Sequence, residues 1–347
     1  MMGLAGAKRS NCPRVLSPFE IAGQRHDEDF NSNPALIAWY DFNDVSTLYS
    51  VQSGFSGQPT DGQNVGIAQN KVWQKIFDDE GSGSSNKVRA FGQYLLANTS
   101  SMAPVWHAPT DTSRGFVRFN GTTNAMFSAG TTPAGTSDGS TAASFSSSTI
   151  DMNNYTIVFV VKKDSSNTAY QNLMTLYDKT GTKLMLLSYL GMSEKLSYNS
   201  VDTTAGTPAY GQVHDDGDDG EFHYHILNAY PSYLTLNSVL WMMSDGIWNR
   251  IDTYNRYATN STHPSTMEFD GTSHHIFLGI GCGKASSSAY PLLSSSLFKG
   301  DIYEIMIWNK DMDGGALEGA DPNADKNTHR DILQYLRRKY QYTREDD

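Results

Sequence analysis

Two stretches indicate the fold most strongly: Phe298-Lys-Gly-Asp-Ile-Tyr-Glu-Ile-Met-Ile-Trp308 and, further along the chain, Ile332-Leu-Gln-Tyr-Leu-Arg-Arg-Lys-Tyr340. The first stretch predicts a strand, because β-branched and aromatic residues alternate with polar ones. The second predicts a short amphipathic helix, because its apolar residues recur at steps of three and four. Its cations stand in the last turn, beside the negative end of the helix dipole. A strand and one closing helix therefore end a chain that otherwise consists of strand and turn patterns.

The composition favours one large all-β domain. The chain has 347 residues, with 30 glycines and 12% aromatic residues, and Ser, Thr and Asn are abundant. This mixture suits strands and turns better than helices, and sandwiches of more than about 200 residues are common as single domains. The formal net charge of −11 argues against holding nucleic acid through its phosphates. We therefore expect no nucleic-acid partner.

The sequence lacks the marks of export and membrane insertion. No apolar run approaches the ~18 residues of a membrane span, so we expect no membrane partner. Residues 1–14 lack the apolar centre of a secretory signal, which predicts synthesis in a cytoplasm without export. The two cysteines, Cys12 and Cys282, are far apart in sequence, and we expect no disulfide scaffold.

The strand pattern predicts an antiparallel β-sandwich. Residues 155–162 form the strongest predicted strand, and because they are apolar on both faces we place them centrally. Residues 46–70 are predicted to be rich in loops, and residues 128–149 to form a surface excursion of small polar side chains. The other predicted strands are 35–42, 115–121, 172–177, 183–189, 222–227, 238–243, 247–254, 275–280 and 302–308.

The N-terminal segment differs from the rest of the chain. Residues 1–33 carry dispersed cations among Gly, Pro, Asn and Ser without sustained periodicity. They are interpreted as an extended arm that packs on a partner, and the alternative is a disordered tail. Residues 34–342 are then the sandwich domain, and residues 343–347 a tail.

Several landmarks in one order resemble the concanavalin A-like lectin/glucanase (laminin-G-like) superfamily. They are a Trp-containing element at 72–78, a Pro-x-aromatic step at 104–106, strands at 115–121 and 155–162, a glycine turn at 279–281, the strand from Phe298 and the final helix. The resemblance covers residues 35–342. It implies an antiparallel jelly-roll β-sandwich with a short C-terminal helix. Members of the superfamily include sugar-binding modules, glucanases and virion surface proteins.

The catalytic motif of the resembled glucanases, Glu-x-Asp-x-x-Glu, is missing from the sequence. The nearest match is Asp301-Ile-Tyr-Glu304, one carboxylate pair whose members face opposite sides of a regular strand. The resemblance implies that this pair serves the fold. We therefore expect no catalytic residues and a protein that is not an enzyme.

The stretch 214–225 is the densest patch of metal-ligand side chains. Asp216, Asp218 and Glu221 are weak candidates for a calcium ligand set, and His223 and His225 share a strand face and could bind a transition metal. The spacing does not match an EF-hand loop, and the alternative is a solvated acidic loop. We expect no cofactor, with calcium in this stretch as the weaker alternative.

Aromatic residues crowd the region from 224 to 257, where sugars could stack on exposed rings. The candidate carbohydrate-binding residues are Trp248, Tyr254, Tyr257 and Asn255, the last as a partner for hydroxyls. The alternative is that these rings belong to the core or to protein–protein contacts.

The sequence leads to three functional hypotheses. The first is a non-enzymatic virion structural protein, a head decoration or a tail or fibre component of a tailed phage. It would dock through its arm, with Arg9, Arg14 and Arg25 pairing carboxylates of other virion proteins or of a second copy. The missing signal, the basic arm and the Ser/Thr/Gly-rich loops resemble such virion proteins. The second is an adhesin that binds host-surface glycans, and the third, disfavoured, is a glycoside hydrolase.

Overall fold

A computed structural model provides the structure of the protein. It describes residues 16–25, 36–51, 54, 57–80, 93–97, 99–111, 113–129, 148–151, 155–167, 169–178, 183–190, 195–202, 209–214, 223–231, 238–244, 247–250, 266–269, 276–279, 296–309 and 328–340. Among these residues, no helix is long and apolar enough to cross a membrane.

The first large sheet has eight strands in the described part of the chain. Its order is β16-β15-β14-β9-β19-β6-β5, and β1 also pairs with β19. These strands are β1 (Leu36–Asp41), β5 (Val105–His107), β6 (Phe116–Asn120), β9 (Tyr155–Lys163), β14 (His223–Pro231), β15 (Ser238–Ser244), β16 (Ile247–Arg250) and β19 (Lys299–Trp308).

The second sheet has nine strands among the described residues, in the order β13-β12-β11-β10-β18-β7-β4-β3-β2. They are β2 (Leu48–Ser50), β3 (Val65–Gln69), β4 (Tyr94–Leu96), β7 (Met126–Ala129), β10 (Tyr170–Tyr177), β11 (Lys183–Leu190), β12 (Lys195–Asp202), β13 (Ala209–His214) and β18 (Ile276–Leu278). A separate antiparallel pair joins β8 (Ser148–Asp151) to β17 (Thr266–Phe269).

The strands pair antiparallel, and the two large sheets pack face to face. Their shared core takes side chains from both sheets, such as Phe159 and Ile305 from the first and Leu173 and Leu187 from the second. The predicted antiparallel β-sandwich is therefore confirmed, as are its central strand (β9) and its closing helix.

Strand β19 lies in the middle of the first sheet, and its two halves pair with different strands along one edge. One edge pairs with β9 along most of its length. The other edge pairs with β6 over its first residues, Lys299 to Ile302, and with β1 over its last residues, from Glu304 to Trp308. An irregularity in the pairing with β9 falls between Ile302 and Glu304, at the junction of the two halves.

Three helices cover the outer face of the β1 half. They are α1 (Pro18–Arg25), α2 (Lys71–Glu80) and α3 (Thr328–Tyr340). Together with outward side chains of the sheet, they form a second apolar cluster that includes Trp39, Met306, Trp308 and Leu336. Burying these side chains on the sheet, at about 25 cal/mol per Å² of apolar area, stabilises short helices that would be marginal alone.

Within the predicted arm of residues 1–33, Pro18–Arg25 form helix α1. Ser17 caps the helix: its hydroxyl accepts from the Glu20 amide, and the Glu20 carboxylate accepts from the Ser17 amide at 2.8 Å. Ile21 is fully buried against the cluster under the helices, and the Phe19 ring meets Trp39 edge-on at 5.0 Å. Helix α1 is too short to show a periodic pattern in the sequence, and its packing against the first sheet and α3 stabilises it.

Several short strands were missed. Residues 46–70, predicted to be rich in loops, contain β2 and β3, and residues 128–149 include the first residues of β8. Strands of three to five residues such as β2, β4 and β5 have too few positions to show an alternation, so their place is decided by their neighbours in the sheet.

Candidate binding cleft

A cleft of about 720 Å³ opens over the β6 half of the first sheet. It extends from the outer face of strands β5, β6, β19 and β9 to the loops at the end of these strands. Most of its lining residues have polar side chains; the lining consists of Asn64, Ser100, Ser101, Val105, Arg118, Phe119, Asn120, Asn124, Lys162, Lys163, Asp164, Ser165, Lys299, Gly300 and Asp301.

The floor of the cleft is a row of charged residues on adjacent strands. Arg118 of β6 is in register with Asp301 of β19, and Asp301 is in register with Lys162 of β9. Val105 of β5 continues the row beyond Arg118. One carboxylate therefore lies between two cations on the outer face.

Asp301 holds the Arg118 guanidinium in a fixed orientation. Nε donates to Oδ1 at 2.7 Å and Nη2 donates to Oδ2 at 2.9 Å, a bidentate pair. The guanidinium also lies over the Phe116 ring, 5.2 Å from its centroid. The Asp301 hydrogen bond raises the pKa of Arg118. The Arg118 side chain is nevertheless 53% exposed, so part of this oriented cation faces the cleft.

A second ion pair forms the rim. Lys299 Nζ lies 3.0 Å from Asp164 Oδ2 and donates to the Ser166 hydroxyl at 2.8 Å. The Ser166 hydroxyl donates to Asp164, and this hydrogen bond is the main cause of the lowered pKa of Asp164. The rim is therefore internally neutral and fixed.

The asparagines of the wall are occupied in holding the loops. Asn124 Nδ2 donates to the carbonyls of Ser101 and Ala103, and its Oδ1 accepts from the Asn120 amide. Asn120 Oδ1 accepts from the backbone amides of Thr122 and Thr123, and Asn64 Nδ2 donates to the Ala103 carbonyl. These side chains make the wall rigid.

Gly300 permits the close approach of strands under the cleft. Its φ of +151° is a conformation that side chains disfavour, and a Cβ there would collide with the Lys162 carbonyl oxygen. The strand carrying Asp301 can therefore lie against the strand carrying Lys162 only because residue 300 has no side chain.

Glu304 lies on the same outer face as Asp301, which corrects the prediction of opposite faces. The irregularity of β19 places Tyr303 and Met306 in the cluster under the helices, while Ile302 and Ile305 face the core between the sheets. One residue is thus added on the outer side, as in a β-bulge. A regular strand would place Asp301 and Glu304 on opposite faces, and this irregularity places them on the same face.

Glu304 is fully buried beneath α3 and saturated with donors. Its Oε1 accepts from Trp39 Nε1 and from the Tyr335 hydroxyl, both at 2.6 Å, and its Oε2 accepts from the Tyr340 hydroxyl at 2.7 Å. Lys339 Nζ lies 3.0 Å from Glu304 and 2.8 Å from Asp41. We call Glu304, Asp41 and these surrounding donors the buried acid cluster.

The buried acid cluster perturbs its own titrating groups. Burial, and then the negative charge of Glu304, raises the pKa of Tyr335 and of Tyr340. Burial lowers the pKa of Lys339, but the charges of Glu304 and Asp41 outweigh this effect and raise it. Both carboxylates of β19 thus have fixed partners, and neither is placed as a free acid or base.

The sequence-predicted site residues lie away from the cleft or outside the described residues. Trp248 is on β16, the edge strand separated from β9 by β15 and β14. Arg25 ends α1. Outside the described part of the chain are Tyr254, Asn255, Tyr257, Asp216, Asp218, Glu221, Arg9 and Arg14.

His223 and His225 share the inner face of β14, as their spacing predicts, and both are buried. Their rings stack at 6.2 Å, and the Tyr189 hydroxyl lies 3.0 Å from His225 Nε2. Within the described ranges, no three His, Cys, Asp or Glu residues group closely enough to hold a metal ion.

The cleft residues themselves were missed by sequence reasoning. Alternation along 115–121 places Arg118 opposite Val117 and Phe119, which is a usable signal for an outward cation. That Lys162 lies one strand beyond Asp301 follows only from the order of strands in the sheet.

Comparison with known proteins gives distant structural likenesses. No protein-family model matches the chain, and no curated protein matches it. The CBM40 of the Ruminococcus gnavus IT-sialidase is similar at 12% identity and a TM-score of 0.33, over 46% of this chain and 78% of that one. A SAP-like pentraxin from Limulus polyphemus is similar at 7% identity and 0.31, over 47% and 66%.

Domains LG4-5 of the mouse laminin alpha1 chain are similar at 12% identity and a TM-score of 0.29, over 46% of this chain and 36% of that one. The likeness is too low to carry an argument, and the fold rests on the strand pairing described above.

Proposed function

We propose that this protein is a non-enzymatic, lectin-like binding protein that holds a glycan in the cleft over β6, β19 and β9. The observation that carries the proposal is a cleft whose polar lining side chains are held by ion pairs and hydrogen bonds. Its volume of about 720 Å³ falls within the 300–1,000 Å³ usual for small-ligand sites and suits one or two sugar rings.

The rigidity of the walls supports binding. Arg118, Lys299 and the asparagines of the wall are held in place by neighbours before any ligand arrives. A site whose side chains are already ordered loses less conformational freedom on binding, so more of the contact energy appears as affinity.

The partners of the carboxylates support the absence of catalysis. A glycosidase needs two carboxyl groups that flank the sugar bond, one to give a proton and one to attack or activate water. Here Asp301 is engaged by Arg118, and Glu304 is buried under α3 with four donors. We therefore expect binding without cleavage.

A glycan array with the full-length protein tests the proposal. We expect saturable binding that is lost when the exposed residue Ser100 in the cleft is replaced, Ser100→Trp. The matched control is Thr60→Trp, an equally exposed position outside the cleft. Bound glycans should be recovered uncut. Binding to no glycan, or binding that survives Ser100→Trp, would overturn the proposal.

A virion structural role is the second candidate, and helix α1 is the observation that favours it. The helix is packed on the body beside β1, so the arm before Leu16 leaves from an anchored point. Arg9 and Arg14 of this arm, with Arg25 at the end of α1, would then pair carboxylates on a neighbouring virion protein or a second copy.

Two deletions test the virion role. Removing residues 1–15 keeps the cap at Ser17 and the buried Ile21, so the sandwich should stay folded while incorporation into particles is lost. Removing residues 1–33 also removes α1 and should lower stability. Full incorporation of the shorter deletion would end this second candidate and leave glycan binding untouched.

A further inference from the structure

We infer that the ligand of the cleft is an acidic saccharide, whose single anionic group is held jointly by Lys162 and Arg118. This inference rests on the proposed function and names the chemical class of its ligand.

The charge on the cleft side is positive, although the whole chain has a formal net charge of −11. Of the four lining cations, Lys163 is buried at the inner face, 5.9 Å from the Tyr189 ring. Arg118, Lys162 and Lys299 remain against the carboxylates of Asp164 and Asp301, an excess of one cation. A positive spot on an acidic protein raises the local concentration of anions.

Lys162 is the excess cation. Asp301 engages Arg118 through both carboxylate oxygens, and Asp164 engages Lys299. In the described part of the chain, Lys162 Nζ has no ion-pair partner. An added anion would therefore complete a pair without breaking one.

The spacing of the strands suits one bridging anion. Lys162 and Arg118 lie on either side of Asp301 in the same row, so their backbones are two strand spacings, about 10 Å, apart. The guanidinium already leans toward Asp301 through Nε and Nη2, and its Nη1 donors stay free of that pair. A carboxylate or sulfate above Asp301 would be reached from both sides.

The remaining donors favour charge over neutral hydrogen bonding. The amide groups of Asn120 and Asn124 are occupied within the wall. Among the described lining residues, the aromatic side chain is Phe119, which is 1% exposed and packs on Phe298. Among these described lining residues a neutral sugar would therefore find no exposed ring to stack on, whereas an acidic one meets two cations.

The test is an array on which each acidic glycan is printed beside its neutral parent, with carboxylated and sulfated glycans as separate arms. The full-length protein should bind acidic members at least tenfold more tightly than their parents, and binding should weaken as salt is raised. Lys162→Gln should lose about tenfold in affinity, since hydrogen bonds to charged groups are typically worth that much.

Arg338→Gln is the matched control, because it removes one positive charge at an exposed position of α3 that does not line the cleft. It should leave affinity unchanged, which separates a local contact from a change of net charge. Equal binding of acidic and neutral partners, or an equal loss in both variants, would overturn this inference while the proposed function stands. Binding to no glycan at all would overturn both.

Discussion

The two halves of strand β19 use the same kind of side chain for opposite purposes. Asp301, in the half that pairs with β6, lies at the floor of an open cleft and orients a half-exposed arginine. Glu304, three residues later in the half that pairs with β1, lies on the same face but is sealed under α3. The difference lies in what covers each half.

This comparison separates a binding carboxylate from a structural one. A buried carboxylate is stable only when donors saturate it, and Glu304 has four within 3.0 Å. A carboxylate near solvent needs one good partner and leaves the rest of that partner available. The location of the helices, and not the sequence of the strand, decides which role each acid has.

Glu304→Gln should produce the largest effect on stability. It removes the charge that faces Lys339 and leaves three buried donors around a neutral amide, and disrupting a buried ion pair typically costs about 3 kcal/mol. Urea unfolding followed by circular dichroism measures the change. Glycan affinity of the folded variant should be unaffected. A loss below about 1 kcal/mol would show that the buried acid cluster is not a main support of the fold.

Alkaline pH should weaken the same half of the sheet. The pKa values of Tyr335 and Tyr340 are raised above 10.0 in the folded protein, so the unfolded chain loses their protons first. Lys339 acts in the same direction, since its pKa is raised above 10.5. These three groups therefore contribute their full stabilisation of the folded protein below about pH 10, and the free energy of unfolding should fall as the pH rises above that value.

The double variant Tyr335→Phe, Tyr340→Phe should show a shallower fall above about pH 10, at the cost of about 1 kcal/mol per lost hydrogen bond at neutral pH. Urea midpoints between about pH 7 and 12 measure the slope. Tyr170→Phe, at an exposed tyrosine, should keep the slope of the parent protein. An unchanged slope in the double variant would assign the alkaline loss to other groups.

Gly300→Ala should damage the cleft half. The new methyl group would meet the Lys162 carbonyl oxygen, and the strands under the cleft would have to separate at a cost of about 2 kcal/mol. Glycan binding should fall with it, because Asp301 and Lys162 would move apart. The matched control is Gly62→Ala, where φ is +81° but no atom lies within 4 Å. Equal losses in both variants would show that backbone strain, and not the strand contact, matters.

Asp301→Asn should have the smallest effect on stability. The Arg118 partner is 53% exposed, and ion pairs near solvent typically contribute less than about 1 kcal/mol. The same urea measurement gives the contrast with Glu304→Gln. If the two variants lost similar free energy, the distinction between the halves of β19 would fail.

The sequence predicts β9, β19 and α3 well, for a physical reason. β9 carries apolar residues on both faces, β19 alternates apolar with polar residues, and α3 spaces its apolar residues at steps of three and four, so each pattern is clear. Helix α1 and strands β2 and β4 are too short to carry a pattern, and they are ordered by the body on which they pack.

The candidate site was predicted less well, because it depends on neighbours that are distant in sequence. Arg118, Lys162 and Asp301 are separated by up to 183 residues and meet only through the order β6-β19-β9. The shared face of Asp301 and Glu304 depends on one irregularity that no periodic pattern reveals. The predicted aromatic site at Trp248 follows from composition alone, and it lies on the opposite edge of the sheet.

The most direct test of the joint binding of an anionic group by Lys162 and Arg118 is a crystal structure of the protein with the tightest-binding acidic glycan of the array. We expect the anionic group within hydrogen-bond distance of both Lys162 Nζ and the Arg118 guanidinium, with the Arg118–Asp301 pair intact. A glycan bound at the β16 edge near Trp248, or held in the cleft by its neutral hydroxyls alone, would contradict it.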